Sequence, residues 1–373
     1  MRDYNMSFAQ PDLFFAYDTM ELMKREFPND QLLMFGALMM KFLTEAIDED
    51  VRAKYEEAHP RKARSGRPSF DPAFMLRVLL LQRFLGLTNV AMAGELRNNR
   101  KLAAVLGIRF ISGLPTDKTI WLYHEWFRKA GIIVRLFGEL TSKFEESLEP
   151  ETAVAVDSSF NEAPKQHNTR EENEAIKAGK GDELWKDNPH KKCHKDIDAS
   201  YTKKHNKTYY GYKLHAKTGM KSKLLLTVFN TTAKVHDSQV VMPLFNWSDW
   251  GRKCYADSAY WRTAQMGYIE QEFHINTIVC ERGRRNHPLC EQQKEFNRGV
   301  SKIRARVEHP FGFIEQTMKG FKVRTVGKER AYYNGFMTSL VYNMARMGQI
   351  ARYQPELIID PEMAANLEVV KNG

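Results

Sequence analysis

Ala153-Val154-Ala155-Val156-Asp157-Ser158-Ser159 is a run of small apolar residues that ends in an acid. An unalternated apolar run of this length fits a strand buried on both faces, as in the centre of an α/β sheet. A carboxylate inside such a core would cost several kcal/mol, on the order of the price of any unpaired buried charge. Asp157 therefore belongs at the strand's C-terminal edge, where open α/β sheets gather their ligands. Tyr255-Ala256-Asp257-Ser258-Ala259-Tyr260 repeats the pattern in a later strand. A third acid, Glu308, sits in the basic stretch Arg304-Ala305-Arg306-Val307-Glu308-His309-Pro310-Phe311-Gly312. Around it Val300, Ile303, Val307, Phe311, Ile314 and Met318 recur in steps of 3, 4, 4, 3 and 4, the period of an amphipathic helix. Arg304 and Glu308 share a face of that helix. Pro310 removes a helical hydrogen bond, so a bend or a break is expected just after Glu308.

The remaining pattern places these segments in a larger plan. With 373 residues, of which 43% are hydrophobic and 12% aromatic, the chain has material for two or three domains and real cores. The first 65 residues read as a peripheral helical segment, a dimerisation element or simply core. Arg61-Lys62-Ala63-Arg64-Ser65-Gly66-Arg67-Pro68 is a basic linker, and both a backbone-tracking arm and a solvated spacer fit it. Residues 66–148 read as a helical domain. Asp71-Pro72 caps a helix through Phe84. Further helices follow over 89–96, 101–106 and 118–130, the last two ending at Gly107 and Gly131. Short helices with tight connections match a helix-turn-helix type module. From residue 149 to 350 the apolar runs shorten into strands, expected at 152–156, 198–202, 209–216, 223–229, 254–257 and 275–280. A helix is expected after His236-Asp237-Ser238, and closing helices over 298–318 and 331–349. Residues 161–197, polar and rich in Lys, His, Asn and Glu, read as a long loop or arm, and 351–373 as a tail. The fold class is therefore α/β, a pattern compatible with an RNase H-like mixed sheet flanked by helices, preceded by an all-α domain.

Charge and cysteines narrow the partners. The formal net charge is +10, and residues 281–330 hold 13 Lys and Arg against 6 Asp and Glu, a net +7. A polyanion such as a phosphate backbone is the natural counterpart, and this basic surplus coincides with the Glu308 segment. Cys193, Cys254, Cys280 and Cys290 form no C-x-x-C pair, which fits free thiols in a reducing cytoplasm. The apolar stretch from Phe74 to Leu87 is interrupted by Arg77, Gln82 and Arg83, so it reads as a buried helix and no membrane span is expected. His190, Cys193 and His194, and again Cys280, His287 and Cys290, approach zinc spacing but lack a fourth ligand. Lys213 and His215 alternate with Tyr212 and Leu214 along a strand, so one pair faces solvent or substrate. Trp261 reads as a packed aromatic.

Three scattered acids in a basic protein fit hard divalent cations acting on phosphodiesters. The surrounding motifs sharpen this. Val156-Asp157-Ser158-Ser159-Phe160-Asn161-Glu162-Ala163-Pro164, Tyr210-Gly211-Tyr212-Lys213-Leu214-His215-Ala216, Thr232-Ala233-Lys234-Val235-His236-Asp237-Ser238, Asp257-Ser258-Ala259-Tyr260 and the Glu308 segment stand in order. Together they resemble bacterial insertion-sequence DDE transposases of the IS-five-like family, from about Gly66 to Gln349. The resemblance implies Asp157, Asp257 and Glu308 as catalytic, metal-binding carboxylates for two Mg²⁺ ions, with Mn²⁺ as substitute. It implies Arg304 as a phosphate contact, residues 66–148 as a DNA-binding domain, and double-stranded DNA as partner, both the terminal inverted repeats and the target. It also implies a homodimer or higher oligomer in a bacterial, nucleoid-associated setting. Lys213, Lys319, Arg306, Arg64, Arg67, Lys191 and Lys192 are the further candidate DNA contacts. The chain departs from the wider superfamily at Ser301 and Glu315, where a Tyr and a Lys are usual; Lys319, one turn on, is the candidate replacement. An RNase H-like endonuclease without strand transfer, or a non-catalytic DNA-binding descendant, are the alternatives.

Overall fold

The computed structural model describes residues 30–60, 68–108, 113–204, 206–354 and 357. Arg64 and Arg67 lie outside them, as does most of the expected C-terminal tail. The chain divides into two compact units, one formed by residues up to Leu148 together with Leu340 onward, the other by Glu149–Ser339.

The first unit is helical. Asp30 caps α1 (Gln31–Phe42), accepting hydrogen bonds from the Leu32 and Leu33 amides at 2.9 and 3.2 Å. After α2 (Glu45–Ala58) comes α3 (Pro72–Phe84), capped by Asp71 with Pro72 in its first turn. Nearly every residue of α3 is buried, including Phe74, Met75, Leu76 and the run Val78 to Leu81. A helix apolar on all sides belongs in the centre of a bundle. The polar residues that interrupt it find partners inside. Arg77 donates twice to the Asp48 carboxylate at 2.8 Å, and Gln82 donates to Asn89 Oδ1 at 2.7 Å. α4 (Asn89–Asn98) leaves α3 at 107°, the angle of a helix-turn-helix corner. α5 (Arg100–Val105), α6 (Asp117–Lys129) and α7 (Ile132–Glu146) complete the series. α7 goes beyond the sequence reading, which closed the helical series at Gly131. Gly131, at φ 65, ends one helix and caps the next. The buried Ile132, Ile133, Leu136, Phe137, Leu140 and Phe144 are the helical stripe that would have disclosed it.

The second unit is built on one sheet. β1 (Ala153–Glu162) lies antiparallel to β3 (Lys207–Gly219), with Asp157 opposite Ala216. On its other side β1 runs parallel to β5 (Lys253–Ala256), which runs parallel to β6 (Asn276–Val279). The outer edge of β3 is shared: β2 (Ser200–Lys204) pairs with Lys207–Gly211, and β4 (Leu225–Thr232) with Tyr212–Thr218. Antiparallel strands followed by two parallel ones, with the first strand in the middle, make the RNase H-like sheet. α10 (Ala264–Phe273) connects β5 to β6.

Three expectations are corrected here. The 161–197 arm is not a loop throughout: β1 extends to Glu162, α8 (Arg170–Lys177) carries a capping box between Thr169 and Glu172, and α9 (Pro189–Lys192) follows. No α-helix follows His236; the segment forms two single 3₁₀ turns, Asp237–Gln239 and Met242–Leu244. α11 (Glu291–Gln316) runs through Pro310, without the break that was one of the two outcomes expected there. α12 (Lys328–Ala351) is the last helix. The compact unit that begins at Glu149 ends at Ser339, and the rest of α12 groups with the first unit.

Candidate active site

Two of the three sequence-derived acids meet at one edge of the sheet. The last paired residues of β1 and β5 are Ala155 and Tyr255, so Asp157 and Asp257 each follow by two residues on adjacent parallel strands. β5 ends there, and Asp257 turns the chain by accepting a hydrogen bond from the Ala259 amide at 2.8 Å. β1 continues along β3, and Asp157 accepts from the Ser158 amide at 2.8 Å. Burial pushes the Asp157 carboxyl up to about 6, against the pull of Arg304 and the Ser158 amide, and the neighbouring Asp257 charge adds to the rise.

α11 packs against β1 and β5, with Phe311 against the buried pair Ala155 and Met220. About two turns earlier on that helix, Arg304 Nη2 approaches Asp157 Oδ2 at 3.4 Å. Glu308 lies one turn beyond Arg304 and is exposed. Among the described residues no three His, Cys, Asp or Glu side chains converge as a metal-ligand group, so Glu308 does not join the two aspartates in this structure. The pair does fit a hard cation: two carboxylates on rigid strand ends, one of them half-buried and raised above its ordinary acidity despite the Arg304 guanidinium beside it.

Beneath the pair lies a network that the sequence reading missed. Lys213 is buried and donates to Asp237 Oδ1 at 2.9 Å and to the Val235 carbonyl at 2.7 Å. This corrects its assignment as a DNA contact: the buried ammonium is occupied by Asp237. Burial alone would raise the Asp237 carboxyl; the Lys213 ion pair and the Ser158 hydroxyl overcome it and hold the group below the usual carboxylate range. Ser158 thus ties Asp237 to Asp157. His215, fully buried, bonds Thr231 Oγ1 at 2.8 Å, and burial lowers its imidazole to about 4, so it is neutral. Tyr260, also buried, has a hydroxyl with no hydrogen-bond partner among the described residues. Burial, then the charges of Asp237, Asp157 and Asp257, hold that phenol well above its ordinary value. The motif containing His236, Asp237 and Ser238 was visible in sequence but read as a helix cap.

The other candidates are dispersed. Arg306 is exposed on α11. Lys319 stands beyond the helix end in a left-handed conformation, φ 49, rather than one turn further along it. Lys191 pairs with Glu172 at 2.7 Å and Lys192 donates to the Asp182 carbonyl at 2.9 Å.

The fold places the chain among RNase H-like proteins. Its sequence goes further, matching the family described as "Transposase DDE domain" over residues 149–344, more than half the chain, and "Transposase domain (DUF772)" over residues 24–125. The chain belongs to the DDE transposases of insertion-sequence type, and it is a transposase enzyme. The family generally uses divalent metal ions. Among solved structures, the piggyBac transposase synaptic complex with hairpin DNA is similar at a TM-score of 0.43 and 11% identity, covering 86% of this chain and 75% of that one. Among the described residues no single helix is long and apolar enough to cross a membrane.

Proposed function

We propose that this transposase cuts double-stranded DNA at its element's terminal inverted repeats and joins the freed 3′ ends to target DNA, with Asp157, Asp257 and Glu308 as its catalytic carboxylates. The observation that carries the reading is the register of Asp157 and Asp257 at neighbouring strand ends, with Arg304 beside Asp157. Asp157 and Asp257 would hold Mg²⁺, and Glu308 would complete the ligand set for two ions by turning in from the same helix face as Arg304. Divalent cations bound there supply Lewis-acid stabilisation of charge on the phosphate and on the attacking and leaving oxygens.

The chain's own contribution is position. Strand ends hold the two aspartates more rigidly than loops would. The Ser158–Asp237–Lys213 chain fixes Asp157 from behind. Arg304 presents a guanidinium to the phosphate oxygens, where a planar donor pair suits two of them. In the first step water attacks phosphorus, the P–O3′ bond breaks and the 3′ oxygen leaves as a hydroxyl. In the second that hydroxyl attacks a target phosphorus and the target's 3′ oxygen leaves. The helical first unit would recognise the repeats, and two protomers would pair the two ends.

The test is an oligonucleotide assay with the element's own end sequences, Mg²⁺ and a plasmid target. Wild type should yield nicked ends and joined product, and Asp257→Ala neither. Cleavage without joining would reduce the reading to an endonuclease; unchanged cleavage by Asp257→Ala would remove the carboxylate pair from the chemistry.

A further inference from the structure

Beside the carboxylate pair, the same sheet edge carries a cationic cluster built around one ring. β5 and β6 are parallel, with Ala256 opposite Val279, so the segments that follow them leave the sheet on the same side. After β5 the chain turns through Asp257 and Ser258–Tyr260 to Trp261 and Arg262. After β6 it forms a tight hairpin in which the Arg284 amide donates to the His287 carbonyl at 2.9 Å and the His287 amide to Arg284 at 3.0 Å. The hairpin's base is tied to α11, since Asn297 bonds both the amide and the carbonyl of Glu281, at 2.8 and 3.0 Å. The two segments meet over the indole. The Arg262 guanidinium lies 4.6 Å from the Trp261 ring centroid and that of Arg284 at 5.8 Å.

Two like charges gathered on one ring repel each other, and the ring quadrupole offsets only part of that cost. Arg262, Arg284 and the flanking Arg282 and Arg285 are all exposed, and none has an ion pair among the described residues. Arg262 also adopts a left-handed backbone, φ 53, a conformation costly for a residue with a Cβ. The chain therefore holds an uncompensated guanidinium pair on the Trp261 ring, four residues beyond Asp257. A solvated basic surface needs no platform and no unfavourable backbone.

We propose that Trp261, Arg262 and Arg284 form a phosphate grip, a DNA-backbone site that holds the strand as it leaves the carboxylate pair. It rests on the DNA-cutting reading given above. Trp261 acts as the platform that orients the guanidiniums, and its ring is engaged by them rather than offered to a base. The grip reads no sequence, because phosphate contacts carry charge and not base identity.

The experiment measures affinity for two duplexes, one carrying the element's end and one scrambled, across a salt series with Ca²⁺ in place of Mg²⁺. Each phosphate contact contributes about 0.9 to the slope of log affinity against log salt. Arg262→Gln with Arg284→Gln should lower that slope by about 2 and weaken both duplexes by the same factor, roughly tenfold or more at low salt. Arg262→Lys with Arg284→Lys, which keeps the charges, should restore most of the slope, and melting curves should match wild type for both pairs. An unchanged slope with wild-type binding intact overturns the grip alone, as does a loss confined to the element's end. Absence of DNA binding by the wild type overturns the DNA-cutting reading, and the grip falls with it.

Discussion

Asp157 shows how one position at a strand end carries a folding cost. Its carboxyl rises from 3.8 to about 6 because it is buried, with Asp257 adding to the rise and Arg304 and the Ser158 amide opposing it. A raised folded-state value means the folded protein holds the proton more tightly than the unfolded chain between about pH 4 and 6. Stability is therefore lost as pH rises through that window and is constant above it. Asp157→Asn removes this dependence. In metal-free protein the melting temperature of Asp157→Asn minus that of wild type should grow from pH 4 to 6 and then level off. Adding Mg²⁺ at pH 7 should close the gap by stabilising wild type only. A difference that stays flat from pH 4 to 7 would sink the assignment of a raised Asp157 carboxyl. At this scale sequence was a partial guide. The apolar runs located both aspartates, because a strand that must hide its faces leaves only its end for a charge. Lys213 was misread because alternation along a strand tells which residues share a face but not which face is inside. Glu308 was located on its helix, yet helical periodicity says nothing about how far its side chain reaches.

Elements were legible where their signal was local. β1 and β5 declared themselves as apolar runs, and α3 by its cap and its unbroken apolar sequence. The 161–197 segment hid α8 because a short polar helix has no apolar stripe; its only mark is the Thr169–Glu172 capping box. β3 was expected over 209–216, but its pairing is what sequence alone could not have drawn. It spans Lys207–Gly219 and changes partner on one edge from β2 to β4 while keeping β1 on the other. The change falls at Gly211, whose φ is 140. A Cβ there would sit 2.5 Å from the Asn161 carbonyl oxygen and 2.6 Å from the Ala163 amide nitrogen, both backbone atoms that cannot step aside. Gly211→Ala should therefore strain the backbone and push β1 off β3 just beyond Asp157. Overpacking of this kind costs about 1–3 kcal/mol, more when backbone must move. The urea midpoint should fall accordingly, and a midpoint within error of wild type would mean that β1 and β3 do not approach so closely there.

At the scale of the whole chain, sequence order and spatial order part company. The helical unit is not an N-terminal piece alone, for it takes in α12 from Leu340 onward. Leu340, Val341, Met344 and Met347 are all buried, Asn343 Nδ2 donates to Thr141 Oγ1 at 3.0 Å, and a side chain at Gly348 would touch Leu38 at 3.1 Å. Nothing local to residues 30–148 signals this, because a helix that returns from the far end of the chain is a long-range contact. Each large apolar side chain buried contributes about 1.5–3 kcal/mol, so four of them rival the roughly 5–15 kcal/mol by which a whole domain is stable. Residues 30–148 produced alone should accordingly keep helical circular dichroism but melt without a cooperative transition, bind a hydrophobic dye, and yield quickly to protease. Joining residues 340–357 to the same fragment through a flexible linker should restore a sharp transition and protease resistance. A cooperative melt from 30–148 alone would show that α12 is dispensable to that unit. A failure of the linked segment to change the melt would show that its burial adds no net stability there.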